Sequence, residues 1–318
     1  MISPTLILEA IAPVFVIIGI GFALRKGRVL SDAADANLMR LIVTVLYPAL
    51  MLRYILGNPA LTTPGNVLIP PLVGCGTVVL GYFAAWFVAP LFGMRVGTGR
   101  RTFSFTNGIY NYGYIPIPIV LALFPGPETV GVLLVHNLGV ELAFWTVGIL
   151  IVTGSFSRDS WRRVLNPPVI ALVVALTING LGYGESVPAF ATRTIEFLAA
   201  CAIPLGLLLA GATLADLAND RSLLTRPRVP LAACFTRLML LPVVFLLLAR
   251  LVPESMEELR RVMAVQAAMP AGLFPLVVAR HFGGDTRVAV QVILFTTLCS
   301  VLTIPLWIRI GLWWLGIE

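Results

Sequence analysis

The polar chemistry of an otherwise apolar region sits in residues 106–120, TNGIYNYGYIPIPIV. Asn107 and Asn111 are four residues apart, which places both amides on one face if the segment is helical. Neutral amides can engage a carboxylate without placing fixed charge in an apolar medium. Tyr112 and Gly113 follow, then the alternating prolines Pro116 and Pro118. Proline has no N–H to donate and its ring clashes with the preceding turn, so the carbonyls of Tyr112 and Tyr114 are expected to lose their helical partners. Ile115 and Ile117 each precede a proline and are pushed toward extended geometry. A second stretch, AVQAAMPAGLFP, repeats the pattern with Gln266, Pro270, Gly272 and Pro275. The helical halves that begin after Pro118 and Pro275 would point their N-termini, with free N–H groups and a favourable dipole, at negative charge. The same amides also suit a second role, capping the broken ends or bonding neighbouring helices.

A third group is Glu141 with Asn137 four residues before it and Trp145 four after, all on one helical face, and His136 adjacent. An ionisable group at that depth in an apolar span marks a functional site by default. Glu141 can cycle a proton for coupling, with Asn137 and His136 beside it; the other reading is a permanently protonated acid bonded to a neighbouring helix. Arg237, about a third of the way into its span, is expected to snorkel to the surface rather than balance an anion. Glu9, Arg40, Arg53 and Glu196 fall near span ends and read as interfacial. Only two histidines are present, and neither an HExxH motif nor a paired-carboxylate motif accompanies them, so an enzyme is not expected. No metal site or cofactor is expected either. The four cysteines lack metal-ligand or disulfide-framework spacing and read as buried packing residues.

The elements that must carry these residues are membrane helices. Apolar residues make up 58% of the chain and charged ones 12%, about half the charged share of a soluble domain. Apolar runs long enough to cross a bilayer recur from end to end. They cover 5–24, 37–56, 67–90, 102–124, 128–153, 167–184, 194–215, 229–252, 261–281 and 286–309, which predicts ten transmembrane helices. The start lacks a basic n-region and is interrupted by Glu9, so the first span is expected to be retained.

Arg25, Lys26, Arg28, Arg95, Arg100, Arg101, Arg158, Arg162, Arg163, Arg221, Arg226, Arg228, Arg280 and Arg287 fall in the odd-numbered loops. Only Arg193, Arg250, Arg260 and Arg261 fall in the even ones. The odd loops are therefore expected to be cytoplasmic, with both termini outside and the chain in the cytoplasmic membrane. The net charge of +7 is explained by this topology, and no nucleic acid partner is implied.

The region opening at Arg100 and the one opening at Arg260 both run from paired arginines through a Pro/Gly-interrupted segment to a phenylalanine. Each then turns through an acidic-Thr pair, Glu128-Thr129 or Asp285-Thr286. LYPALMLRYIL and AIPLGLLLAGATL also match, with Pro48 and Pro204 in equivalent places. Residues 1–153 and 167–318 therefore read as two five-helix copies joined by a short cytoplasmic linker, 154–166. An odd number of spans per copy makes the second copy inverted. Interrupted helices in corresponding positions of inverted copies point to a secondary transporter and to its binding site.

These motifs, in this order over essentially the whole chain, resemble the auxin efflux carrier (PIN-like) family. That family includes plant auxin exporters and bacterial permeases for malonate and other organic acids. The resemblance implies a scaffold domain from helices 1, 2, 6 and 7 and a transport domain from helices 3–5 and 8–10. It also implies a homodimer, elevator-type alternating access, and a crossing where Asn107, Asn111, Pro116 and Pro118 face Pro270 and Pro275. The long central loop of the plant exporters is replaced here by GSFSRDSWRRVLN. The second broken helix has no asparagine to mirror the first. The expected function is secondary transport of a small organic anion, with proton coupling through Glu141. The alternatives are a sodium-coupled carrier of the bile-acid-symporter type, which would coordinate the cation with the freed carbonyls, and, from other classes, a membrane-embedded enzyme or a passive channel.

Overall fold

A computed structural model describes residues 3–155, 161–184, 186–218 and 227–317. Arg158, Arg221 and Arg226 lie outside the described residues, as does part of the linker 154–166. The described chain is helical, and seven of its helices are long and apolar enough to cross a membrane: α1 (Pro4–Lys26), α2 (Ala33–Ile55), α3 (Pro64–Phe92), α6 (Glu128–Thr153), α8 (Ala189–Leu217), α9 (Arg228–Leu251) and α12 (Thr286–Leu315). A shorter apolar helix, α7, spans Pro167–Gly180. The two proline-interrupted regions form pairs of short helices. The first pair is α4 (Arg100–Gly108) and α5 (Pro116–Leu123); the second is α10 (Glu257–Ala267) and α11 (Pro275–His281).

Leu72, Phe87, Phe190, Phe197 and Leu302 are among many large apolar side chains that face outward. In water such a surface would be a liability; in a bilayer it is the solvent-facing side. The same inversion corrects the reading of the cysteines. None is buried: Cys201 and Cys299 are exposed, Cys75 and Cys234 half-buried.

The helices pack in two groups. In one, α1 lies on α8, and α2 lies on α7 and α8. In the other, α3 packs on α4 and α6, while α10 and α12 pack on each other and on α9. The short α5 sits between the groups, touching α1 on one side and α6 and α10 on the other. The tightest contacts depend on glycine. A Cβ on Gly139 of α6 would overlap the Pro71 carbonyl of α3, and one on Gly211 of α8 would overlap the Ile18 carbonyl of α1. Small residues bring membrane helices together where apolar burial supplies no driving force.

Connections between helices gather at the two ends of the bundle. At one end Asn58 Nδ2 donates to the Pro127 carbonyl, and the Gly57 N–H donates to Asn179 Oδ1. At the other end Arg25 pairs with Asp35 and Asp216, and the Asp285 N–H donates to Thr102 Oγ1. Turns of π-helix interrupt α2 at Ile42–Leu46 and α9 at Thr236–Leu240. Each is followed two residues later by a proline, Pro48 or Pro242, whose ring and missing N–H the widened turn accommodates.

Candidate functional site

The two interruptions cross. Ile109 leaves α4 in extended geometry. Its carbonyl accepts from the Gly272 N–H at 3.1 Å, and the Asn111 N–H donates to the Pro270 carbonyl at 2.7 Å. Tyr110 and Ala271 thus form one antiparallel β-bridge inside a helical protein. Backbone that leaves the helix at membrane depth must find partners within the protein. Here each break supplies the partners for the other. The Ala271 N–H finds Thr296 Oγ1 of α12 at 3.3 Å.

Around this bridge the polar side chains of four helices converge. The Tyr112 carbonyl, freed from the helix, accepts Asn137 Nδ2 at 2.7 Å and Gln266 Nε2 at 3.4 Å. Gln266 Nε2 also lies 3.3 Å from Asn137 Oδ1. The Tyr112 hydroxyl donates to Glu141 Oε1 at 2.7 Å, and Trp145 Nε1 donates to Glu141 Oε2 at 2.9 Å. On the far face, the Tyr110 hydroxyl bonds Thr77 Oγ1 at 2.9 Å. Asn107 is fully buried, and among the described residues neither of its amide atoms has a partner, nor does Gln266 Oε1. Buried amides without partners are rare enough to require an explanation, and an arriving ligand is one.

Tyr114 and Gly113 meet the other helical group. The Tyr114 ring stacks edge-on against Tyr47 of α2 at 5.7 Å and fills the space that a Cβ on Gly206 of α8 would need. The Tyr47 hydroxyl fills the corresponding space beside Gly113. Facing the same helical group, a cleft of about 330 Å3 opens among α1, α2, α5 and α8, with Pro118 in its wall.

A family model described as "Membrane transport protein" matches residues 6–158 and 156–308, almost the whole chain. The chain belongs to this family, the auxin efflux carrier (PIN-like) family. An "Uncharacterized transporter" of Methanothermobacter thermautotrophicus is 24% identical over 309 residues, which cover 94% of this chain and 96% of that protein. The resemblance read from the crossing motifs and the family match agree, and the chain is a multi-pass membrane transporter.

The structure brings together Asn111, Tyr112, Asn137, Glu141, Gln266 and Pro270, and it corrects the expected geometry in four places. First, Asn107 and Asn111 do not share a helical face, because α4 ends at Gly108; Asn111 lies in the interruption, its Oδ1 accepting the N–H of Ile115, just before α5. Second, Ile115 has helical dihedrals and Ile117 lies inside α5. The break precedes the prolines, and α5 begins at Pro116, with Pro118 inside its first turn. Proline is well suited to that first position, where its missing N–H costs nothing.

Third, the start of α5 offers no free N–H to an anion. Pro116 and Pro118 have none, Ile115 donates to Asn111 and Ile117 to the Gly113 carbonyl. The first N–H groups of α11 are likewise taken, Leu276 by the Leu273 carbonyl and Val277 by the Phe274 carbonyl. Fourth, Arg237 does not snorkel. It is fully buried, donates from Nη1 to the Gly108 carbonyl at 3.3 Å, and lies over the rings of Tyr110 and Phe245 at 5.4 and 5.2 Å. A cation there complements the carbonyls at the C-terminal end of α4. His136 faces Tyr110 and the α3 side, with Nδ1 3.5 Å from Asn137 Oδ1, and makes no bond to Glu141. Thr77 and Thr296, which hold the two sides of the bridge, escape a reading of the sequence, since single threonines in apolar helices carry no pattern.

Proposed function

We propose that the chain is a secondary transporter that moves a small organic anion across the cytoplasmic membrane by alternating access. The observation that carries this reading is the antiparallel bridge between Tyr110 and Ala271, ringed by Asn107, Asn111, Asn137 and Gln266. It gathers amides and irregular backbone at one buried point, the arrangement found where transporters bind their substrates. Ten crossings follow if α4 with α5 and α10 with α11 each count as one interrupted span. The two halves then form inverted five-helix repeats, with the broken helices in corresponding positions. The group of α1, α2, α7 and α8 serves as scaffold, and the remaining helices carry the site.

Glu141 supplies a route for proton coupling. As a carboxylate it accepts from both Tyr112 and Trp145. Once protonated on Oε1 it can donate to the Tyr112 hydroxyl, which reverses that bond and alters the residue whose carbonyl lies at the crossing. Sodium coupling has less support, because no acidic cluster surrounds the crossing among the described residues.

The test is uptake into proteoliposomes of a panel of monocarboxylates, dicarboxylates and indole acids, with proton and sodium gradients imposed separately. Saturable, gradient-driven uptake of at least one anion, lost in Asn111→Ala with the protein still monodisperse, is the expected result. Failure to move any anion under either gradient would remove the reading.

A further inference from the structure

The cleft beside α5 carries two charges that pair with no other charged group among the described residues. Its walls are largely apolar, from Val14, Leu50, Ile203 and Leu207, and Glu9 and Arg53 also line it. Neither charge makes an ion pair or a hydrogen bond among the described residues, and they do not pair with each other. The Arg53 guanidinium lies 5.2 Å over the Tyr54 ring, a contact that orients it while leaving its N–H edges open. Two further features raise the acceptor content of the same cleft. Pro13 and Pro204 lie inside α1 and α8 and line it. Each deprives the carbonyl four residues earlier of its helical donor, and those residues, Glu9 and Ala200, line it too. Pro118 joins this wall to the first turn of α5 and so to the crossing.

We propose that Glu9 and Arg53 form a charge filter on the path to the crossing. Arg53 engages one carboxylate, Glu9 repels a second, and the apolar walls take the body of the substrate. Repulsion of the wrong ligand is as effective a source of specificity as attraction of the right one. A single guanidinium facing a carboxylate, among freed carbonyls, suits a monoanion with an apolar body and penalises a dicarboxylate. This inference rests on the transporter reading above and adds the residues that set selectivity.

The experiment compares uptake of octanoate, phenylacetate and succinate into proteoliposomes containing the wild-type protein, Arg53→Gln, Arg53→Lys or Glu9→Gln. Wild-type protein is expected to show an apparent KM at least tenfold lower for octanoate or phenylacetate than for succinate. Arg53→Gln should raise the monoanion KM at least tenfold with maximal rate retained, and Arg53→Lys should recover part of that loss. Glu9→Gln should lower the succinate KM and narrow the gap. A preference of the wild-type protein for succinate overturns the filter but leaves the transporter reading standing, as does a selectivity ratio unmoved by Glu9→Gln. Uptake of no anion at all removes both. Occupation of the cleft by a lipid is the competing outcome. Phosphatidylglycerol, and not octanoate, would then raise the melting temperature in an Arg53-dependent way, and the filter falls.

Discussion

Asn137 is the side chain on which the crossing most depends, and replacing it tests the arrangement directly. Its Nδ2 is the close donor to the Tyr112 carbonyl, at 2.7 Å; the other, Gln266 Nε2, stands at 3.4 Å and is shared with Asn137 Oδ1. Asn137→Ala removes the short bond and leaves the carbonyl with one long, weak donor. A buried acceptor stripped of its partner costs about 1–3 kcal/mol. If that cost falls wholly on the ligand-competent form of the crossing, apparent affinity weakens roughly 5- to 150-fold. Asn137→Asp is the sharper variant. It keeps an oxygen for Gln266 but, when ionised, sets an acceptor against the Tyr112 carbonyl where a donor stood. The expected order of affinity is wild type, then Asn137→Ala, then Asn137→Asp, read as the KM of uptake and checked by ligand-dependent thermal shift in detergent. Wild-type KM in Asn137→Asp would refute the claim that donation to the Tyr112 carbonyl holds the site.

Glu141→Gln leaves one side-chain oxygen where Tyr112 and Trp145 need two acceptors, and it should flatten the pH dependence of uptake; an unchanged profile removes the proton role. Gly139→Ala drives a methyl into the Pro71 carbonyl and should destabilise the α3–α6 contact by about 1–3 kcal/mol, whereas Gly76→Ala, with open space beside it, should leave the melting temperature within error. Arg237→Met removes a buried cation that has no carboxylate partner among the described residues. Its melting temperature should hold or rise while uptake falls at least tenfold, and a lower melting temperature with full uptake would contradict the account of that residue.

Much of the fold is legible in the sequence because lipid demands long apolar runs, and the two Pro/Gly-rich interruptions stand out against them. The fine structure of the breaks is less legible. Closely spaced prolines look like the point of rupture, yet Pro116 and Pro275 each open a helix, and the extended residues precede them. The face-sharing of Asn107 and Asn111 assumed a helix that ends between them. The cysteines depart from expectation because a burial habit of proteins in water does not transfer to a bilayer, and Arg237 departs from snorkelling because the protein itself offers its charge partners at depth. There a thiol can face the solvent, and a cation can be buried against a helix C-terminus and two aromatic rings.

The distribution of hydrogen bonds bears on how such a site could move. Among the described residues, the hydrogen bonds to the backbone of the crossing come from α6, α10, α12 and the two interruptions themselves, through Asn111, Asn137, Gln266 and Thr296. Thr77 of α3 and Arg237 of α9 support it from behind. Toward the other group, Tyr114 meets Tyr47 through ring packing and Met39 through a sulfur contact at 4.0 Å, and its ring lies against Gly206. Displacing the crossing along α2 and α8 would therefore exchange apolar contacts around Tyr114 and leave the bonds of the crossing itself intact, although the bond from Asn58 Nδ2 to the Pro127 carbonyl, away from the crossing, would have to break. A site tied to both groups by hydrogen bonds would have to dismantle itself to change sides. This asymmetry favours a sliding transport unit over a hinge at the crossing. It also predicts that a cysteine pair linking positions 47 and 114 by a crosslinker stops uptake, whereas one joining α4 to α12 leaves it intact.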